Sequence, residues 1–136
     1  MKKTTAAASL VLLSAFALTG CTAIDNAIHQ VTEESFYDYA EAKDGWPGEF
    51  PDWLPDDATD IHVRTTNDGK VAMLAADTKG TPIGDCEDTE RHQLAVWETD
   101  WTPVDIMPDR VIACGDWETT PTGDGIFAWY TEQPKD

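Results

Sequence analysis

The chain has 136 residues, 26 of them acidic against nine basic, for a formal charge of −17 at neutral pH. A field of that sign repels phosphate backbones, which proteins recognise by neutralising them with Lys and Arg, so nucleic acid is excluded as a partner. Cations, a cationic protein or a neutral ligand stay compatible, and the same charge also keeps an exposed domain soluble. Acid-rich chains are often disordered, but the six Trp and three Tyr here supply ring surface for a core, and the length suits one small domain.

Met1-Lys2-Lys3 precede an uncharged, Ala- and Leu-rich run over residues 4–19, the basic and apolar regions of a secretory signal peptide. The run is shorter than the roughly 20 apolar residues that a bilayer crossing takes. It ends in Leu18-Thr19-Gly20-Cys21, which resembles a bacterial lipobox. The resemblance implies removal of residues 1–20 and a diacylglycerol thioether on Cys21. The mature chain would then be held to the outer face of the cell membrane by acyl chains, with no transmembrane helix. One acyl chain binds reversibly, at about 0.8 kcal/mol per buried methylene, whereas two hold stably. Thr22 follows, in place of the Asp that retains many lipoproteins at an inner membrane. Removing 20 residues leaves 116, with seven basic and 26 acidic side chains and a charge of −19.

Residues 21–44 form the expected stem. Ile24, Ala27, Ile28 and Val31 fall at helical spacing, Phe36, Tyr39 and Ala40 extend the stripe, and Asp44-Gly45 supplies a stop. A fully helical stem would be roughly 30 Å long at 1.5 Å per residue. Residues 45–57 read GWPGEFPDWLPDD, where Pro47, Pro51 and Pro55 remove donors and disfavour helix, so ordered loop is expected. Trp46, Phe50, Trp53 and Leu54 would pin that loop to the domain or form an aromatic ledge.

Ile61, Val63 and Thr65 alternate with His62, Arg64 and Thr66, Asn67-Asp68-Gly69 turns the chain, and Val71, Met73 and Ala75 alternate with their neighbours. That pattern predicts a β-hairpin over residues 61–77. Residues 94–97 suggest a short strand, residues 111–117 another, and residues 126–131 a final one after a Thr122-Gly123-Asp124-Gly125 turn. The expected fold class is α+β: an N-terminal helical stem plus a small antiparallel sheet of four to six strands over residues 45–136.

With Cys21 committed to lipid, Cys86 and Cys114 remain in an oxidising compartment, and a disulfide between them is expected. Closing that loop is worth about 3.5 kcal/mol in the chain-entropy account.

A second resemblance lies in Pro51-Asp52-Trp53-Leu54-Pro55-Asp56-Asp57-Ala58-Thr59-Asp60-Ile61 and in Cys114-Gly115-Asp116-Trp117. The segment is similar to a P-x-W-[VL]-P-x-x-A-x-x-I stretch before the first strand of small actinobacterial-type envelope lipoproteins, which also carry a late Cys-Gly-x-Trp. It implies a related domain and no established activity.

No catalytic residues stand out. Ser35 is the one mature serine and lies in the stem. His29, His62 and His92 form no zinc motif, and no Walker or dinucleotide loop is present. Asp52, Asp56, Asp57 and Asp60 make a weak calcium candidate without EF-hand spacing; Asp85, Glu87, Asp88 and Glu90 form a second acidic cluster. Trp46, Trp53, Trp97 and Trp101 are the candidate ligand-facing aromatics, able to stack on a wall glycan. The expectation is therefore a non-enzymatic binding domain at the cell envelope that uses no cofactor. Its alternatives are an acidic inhibitor capping a cationic protein such as a lysozyme, and a carboxylate-dependent wall hydrolase.

Overall fold

The computed structural model describes residues 30–103 and 107–131. Cys21, the expected signal peptide of residues 1–20 and the expected stem up to residue 29 lie outside the described residues.

Seven strands make one antiparallel sheet: β1 (Val31–Asp38), β2 (Thr59–Thr66), β3 (Val71–Asp77), β4 (Cys86–Glu90), β5 (Arg110–Cys114), β6 (Trp117–Pro121) and β7 (Gly125–Thr131). Among the described residues one short helix, α1 (Tyr39–Gly45), joins β1 to β2. The strand order is β1-β2-β3-β7-β6-β5-β4. The chain thus runs one meander inward from β1, carries β4 to the far edge, and returns as a second meander that ends against β3. The α+β class, the antiparallel sheet and the Cys86–Cys114 disulfide are as expected, with seven strands where four to six were expected.

The hairpin of β2 and β3 forms where alternation and Asn67-Asp68-Gly69 place it. Gly69 donates to the Thr66 carbonyl at 2.9 Å, with φ of +74°. Side chains of Ile61, Val63 and Thr65 then share one face with Ala72, Leu74 and Ala76. A register shift near Asp60, whose φ is +46°, marks a bulge at the start of β2. Gly125 begins β7 because the chain leaves no room for a side chain there: an added Cβ would stand 2.0 Å from the Ala76 carbonyl oxygen.

Three expectations need correction. Val31 to Asp38 in the predicted stem is a strand, pairing with β2 from Val31 opposite Thr66 to Asp38 opposite Thr59. Among the described residues helix is confined to α1, where Asp38 accepts from the Glu41 N–H at 2.9 Å and Glu41 in turn accepts from the Tyr37 N–H. Residues 111–117 are not one strand: β5 ends at Cys114, and a two-residue turn with Gly115 at φ +59° starts β6 at Trp117. Glycine at the first central position suits a type II′ hairpin turn. Residues 94–97 alternate like a strand, with Leu94 and Val96 outward and Ala95 and Trp97 inward, but they cross the sheet as irregular chain without a ladder.

Both faces of the sheet are covered. On the first, Ala42 of α1 and Trp53 and Leu54 of the loop of residues 46–58 pack with Phe36 of β1 onto Ile61, Val63, Leu74, Ile126 and Ala128. On the second, residues 91–103 lie as a strap over Met73, Val111, Phe127 and Trp129. Gln93 fastens the strap: its amide donates to Asp116, its backbone carbonyl accepts from Trp129 Nε1 at 3.2 Å, and its side-chain oxygen accepts from Thr131. Fully burying one large apolar side chain contributes about 1.5–3 kcal/mol, so these two clusters carry most of the stability of so small a domain.

Candidate functional site: an aromatic cleft with an acidic rim

The proline-rich loop does not lie flat on the first face. It stands along one side of a half-open cleft of about 700 Å³. Val63, Thr65 and Ala72 of the central hairpin line it, and the Cys86–Cys114 disulfide closes one part of its wall. Cys86 and Cys114 are direct register partners on β4 and β5 with Cα atoms 4.4 Å apart, the spacing of a pair between ladder hydrogen bonds.

Aromatic rings make the walls. Trp53 meets Trp117 edge-on at 5.5 Å, and Trp117 meets Tyr130 at 5.1 Å. On the loop side, Trp46 and Phe50 form a T-shaped pair at 5.4 Å, backed by Phe36 and Tyr39. Trp53 is 5% exposed and its indole N–H is buried without a partner. The other lining rings are half-buried, so each keeps some surface open.

The rim is acidic. Glu49 and Asp52 come from the loop, Asp68 from the β2–β3 turn, Asp85 from the approach to β4, and Asp116 from the β5–β6 turn. Among the described residues no Lys, Arg or His lines the cleft. Asp68 is held below the usual carboxylate range, first by the Thr66 side chain and then by the Lys70 backbone N–H, and so is fully ionised at neutral pH. Gly48, Gly69, Gly84 and Gly115, the glycines with positive φ, all lie along this rim, where four tight turns converge.

The sequence-derived candidates divide between the faces. Trp46 and Trp53 line the cleft, whereas Trp97 and Trp101 belong to the strap on the other side. There the Arg64 guanidinium sits 5.2 Å from the Trp97 ring centroid and donates to Glu33 at 2.9 Å. Trp101 stacks on His62 at 5.6 Å, and its indole N–H donates to Glu33. Phe50 lines the cleft as part of the expected aromatic ledge, whereas Trp117 and Tyr130 are cleft residues outside the sequence-derived candidates. Trp117 and Tyr130 reach the cleft only through the registers of β6 and β7, and no local pattern marks them.

The acidic clusters do not converge. Asp57 accepts from the Thr78 hydroxyl and the Lys79 N–H, which hold it below the usual range, and Asp60 lies 3.2 Å from His62 Nε2. Asp88 pairs with Arg110. No group of three or more His, Cys, Asp or Glu side chains is arranged to hold a metal ion among the described residues. Glu118 is buried on the second face, one oxygen accepting from the His92 N–H at 2.7 Å, the other without a hydrogen bond.

Fold and site together define a disulfide-stapled antiparallel sheet with a ring-lined cleft on one face and a tryptophan-bearing strap on the other. No known protein family, curated protein or solved structure matches the chain.

Proposed function

We propose that this is an exported lipoprotein, held to the outer face of the membrane through a diacylated Cys21, whose sheet domain binds an envelope partner in the aromatic cleft without transforming it. The cleft carries the reading: its volume is that of ligand sites generally, and it combines ring surface with a small set of charged groups. General acid catalysis needs a carboxyl in a desolvated setting, and the five rim carboxylates are exposed on separate turns, which favours binding over hydrolysis. Among the described residues no helix is long and apolar enough to cross a membrane, which is compatible with an acyl anchor.

The anchor and the cleft are tested together in cells. Cys21→Ser should abolish incorporation of labelled palmitate and release the chain from the membrane fraction. A photo-crosslinking residue at position 85 on the rim should capture an envelope component, and the same residue at position 96 on the strap should not. Palmitate label surviving Cys21→Ser would refute the anchor. Capture from position 96 alone would move the site to the other face.

A further inference from the structure

We infer that the cleft takes a Lys or Arg side chain presented by an extended basic segment of another protein. This deepens the preceding reading, since it assumes that the cleft is the binding site.

Three observations point to a cation. The rim carries five carboxylates, from Glu49, Asp52, Asp68, Asp85 and Asp116, and no basic side chain among the described residues. The walls offer the half-buried rings of Trp46, Phe50, Trp117 and Tyr130, whose negative faces attract an ammonium or guanidinium. The second face displays the same combination already satisfied: Arg64 is held between the Trp97 ring and the Glu33 carboxylate. The cleft repeats ring and carboxylate, but no described Lys, Arg or His lines it, and Lys70 acts on Asp68 alone from outside the lining.

Charge also discriminates among ligands. A chain of net charge −17 accelerates the approach of a basic partner and slows that of an anionic polymer. A neutral glycan could stack on the rings but would neutralise none of the rim carboxylates. The cleft is half-open, so a side chain projecting from a macromolecule can enter it from solvent.

The test uses the mature chain carrying Cys21→Ser, which needs no detergent, with its disulfide intact. The indole N–H signals of the six tryptophans are followed by nuclear magnetic resonance during titration with hexalysine, its norleucine counterpart and chitohexaose. Hexalysine should shift Trp46, Trp53 and Trp117 and leave Trp97 and Trp101 in place. Its affinity should fall about tenfold between low salt and roughly 0.5 M salt, because exposed charges are screened. The exposed triple change Asp52→Asn, Asp85→Asn and Asp116→Asn should weaken it by about tenfold without altering the fold. The norleucine peptide should not bind. Equal binding of the norleucine peptide, an unaffected triple variant, shifts confined to Trp97 and Trp101, or no response to hexalysine would each overturn the inference. If chitohexaose alone shifted the cleft signals, independently of salt, the cationic ligand would be refuted while the cleft stood as the binding site.

Discussion

Trp53 and Trp129 are both buried tryptophans, yet their indole N–H groups differ. That of Trp129 donates to the Gln93 carbonyl at 3.2 Å, whereas that of Trp53 is buried without an acceptor. A hydrogen bond contributes about 1 kcal/mol, and stranding a buried partner costs about 1–3 kcal/mol. Trp129→Phe should therefore destabilise the fold by about 1–2 kcal/mol more than Trp53→Phe, by denaturant unfolding of the two variants. Equal losses would mean that the Gln93 contact contributes nothing. Neither partnership was legible in the sequence. Trp53 could be read as pinning the loop because prolines surround it, but the Trp129 acceptor comes from a strap 36 positions away.

At the scale of elements, β4 is the least self-supporting strand. None of its five residues is buried, three are carboxylates, and it has β5 on one side only. Its acidic side chains guard the sheet edge against pairing with another copy, as Glu33 and Glu34 do on β1. What holds β4 is the ladder to β5, the Asp88–Arg110 pair and the disulfide. Reduction, or Cys86→Ser with Cys114→Ser, should remove about 3.5 kcal/mol and release β4 first. Amide exchange in Cys86–Glu90 should then accelerate far more than in Gly125–Thr131. Uniform acceleration across the sheet would show that β4 has no stability of its own to lose. The same features explain which elements the sequence made legible. The central strand β2, whose buried residues alternate, writes that alternation into the chain, whereas β3 and β7 are buried on both faces and read as apolar runs bounded by turn residues. An exposed edge such as β1 needs few apolar residues, so Phe36, Tyr39 and Ala40 mimic a helical stripe although Phe36 lies on a strand and Tyr39 on α1. The β5–β6 hairpin was hidden because its turn is only Gly115-Asp116.

For the whole molecule, charge sets the response to solvent. Two carboxylates about 10 Å apart repel by about 0.4 kcal/mol in water, and many such pairs sum over a surface with 26 acids and nine bases. Salt at roughly 0.15 M shortens the range of that repulsion to about 8 Å. Stability at pH 7 should therefore rise with added salt. Asp57 and Asp68 act in the opposite sense. Both are depressed below 3.8, Asp57 chiefly by the Thr78 hydroxyl and Asp68 chiefly by the Thr66 side chain, so both favour the folded state while ionised. That contribution is complete above the unfolded value of 3.8 and disappears as pH drops through the lower folded values. The melting temperature should fall once pH drops below 3.8. Asp57→Asn should lower it at pH 7 and make progressively less difference below 3.8. Calorimetry across pH at two salt concentrations checks this. A melting temperature that salt lowers at pH 7 would mean that pairs such as Glu33–Arg64 and Asp88–Arg110 outweigh the repulsion. The acid excess would then be stabilising in its own right, and the cleft rim would have to be read as part of a paired surface instead of an open one.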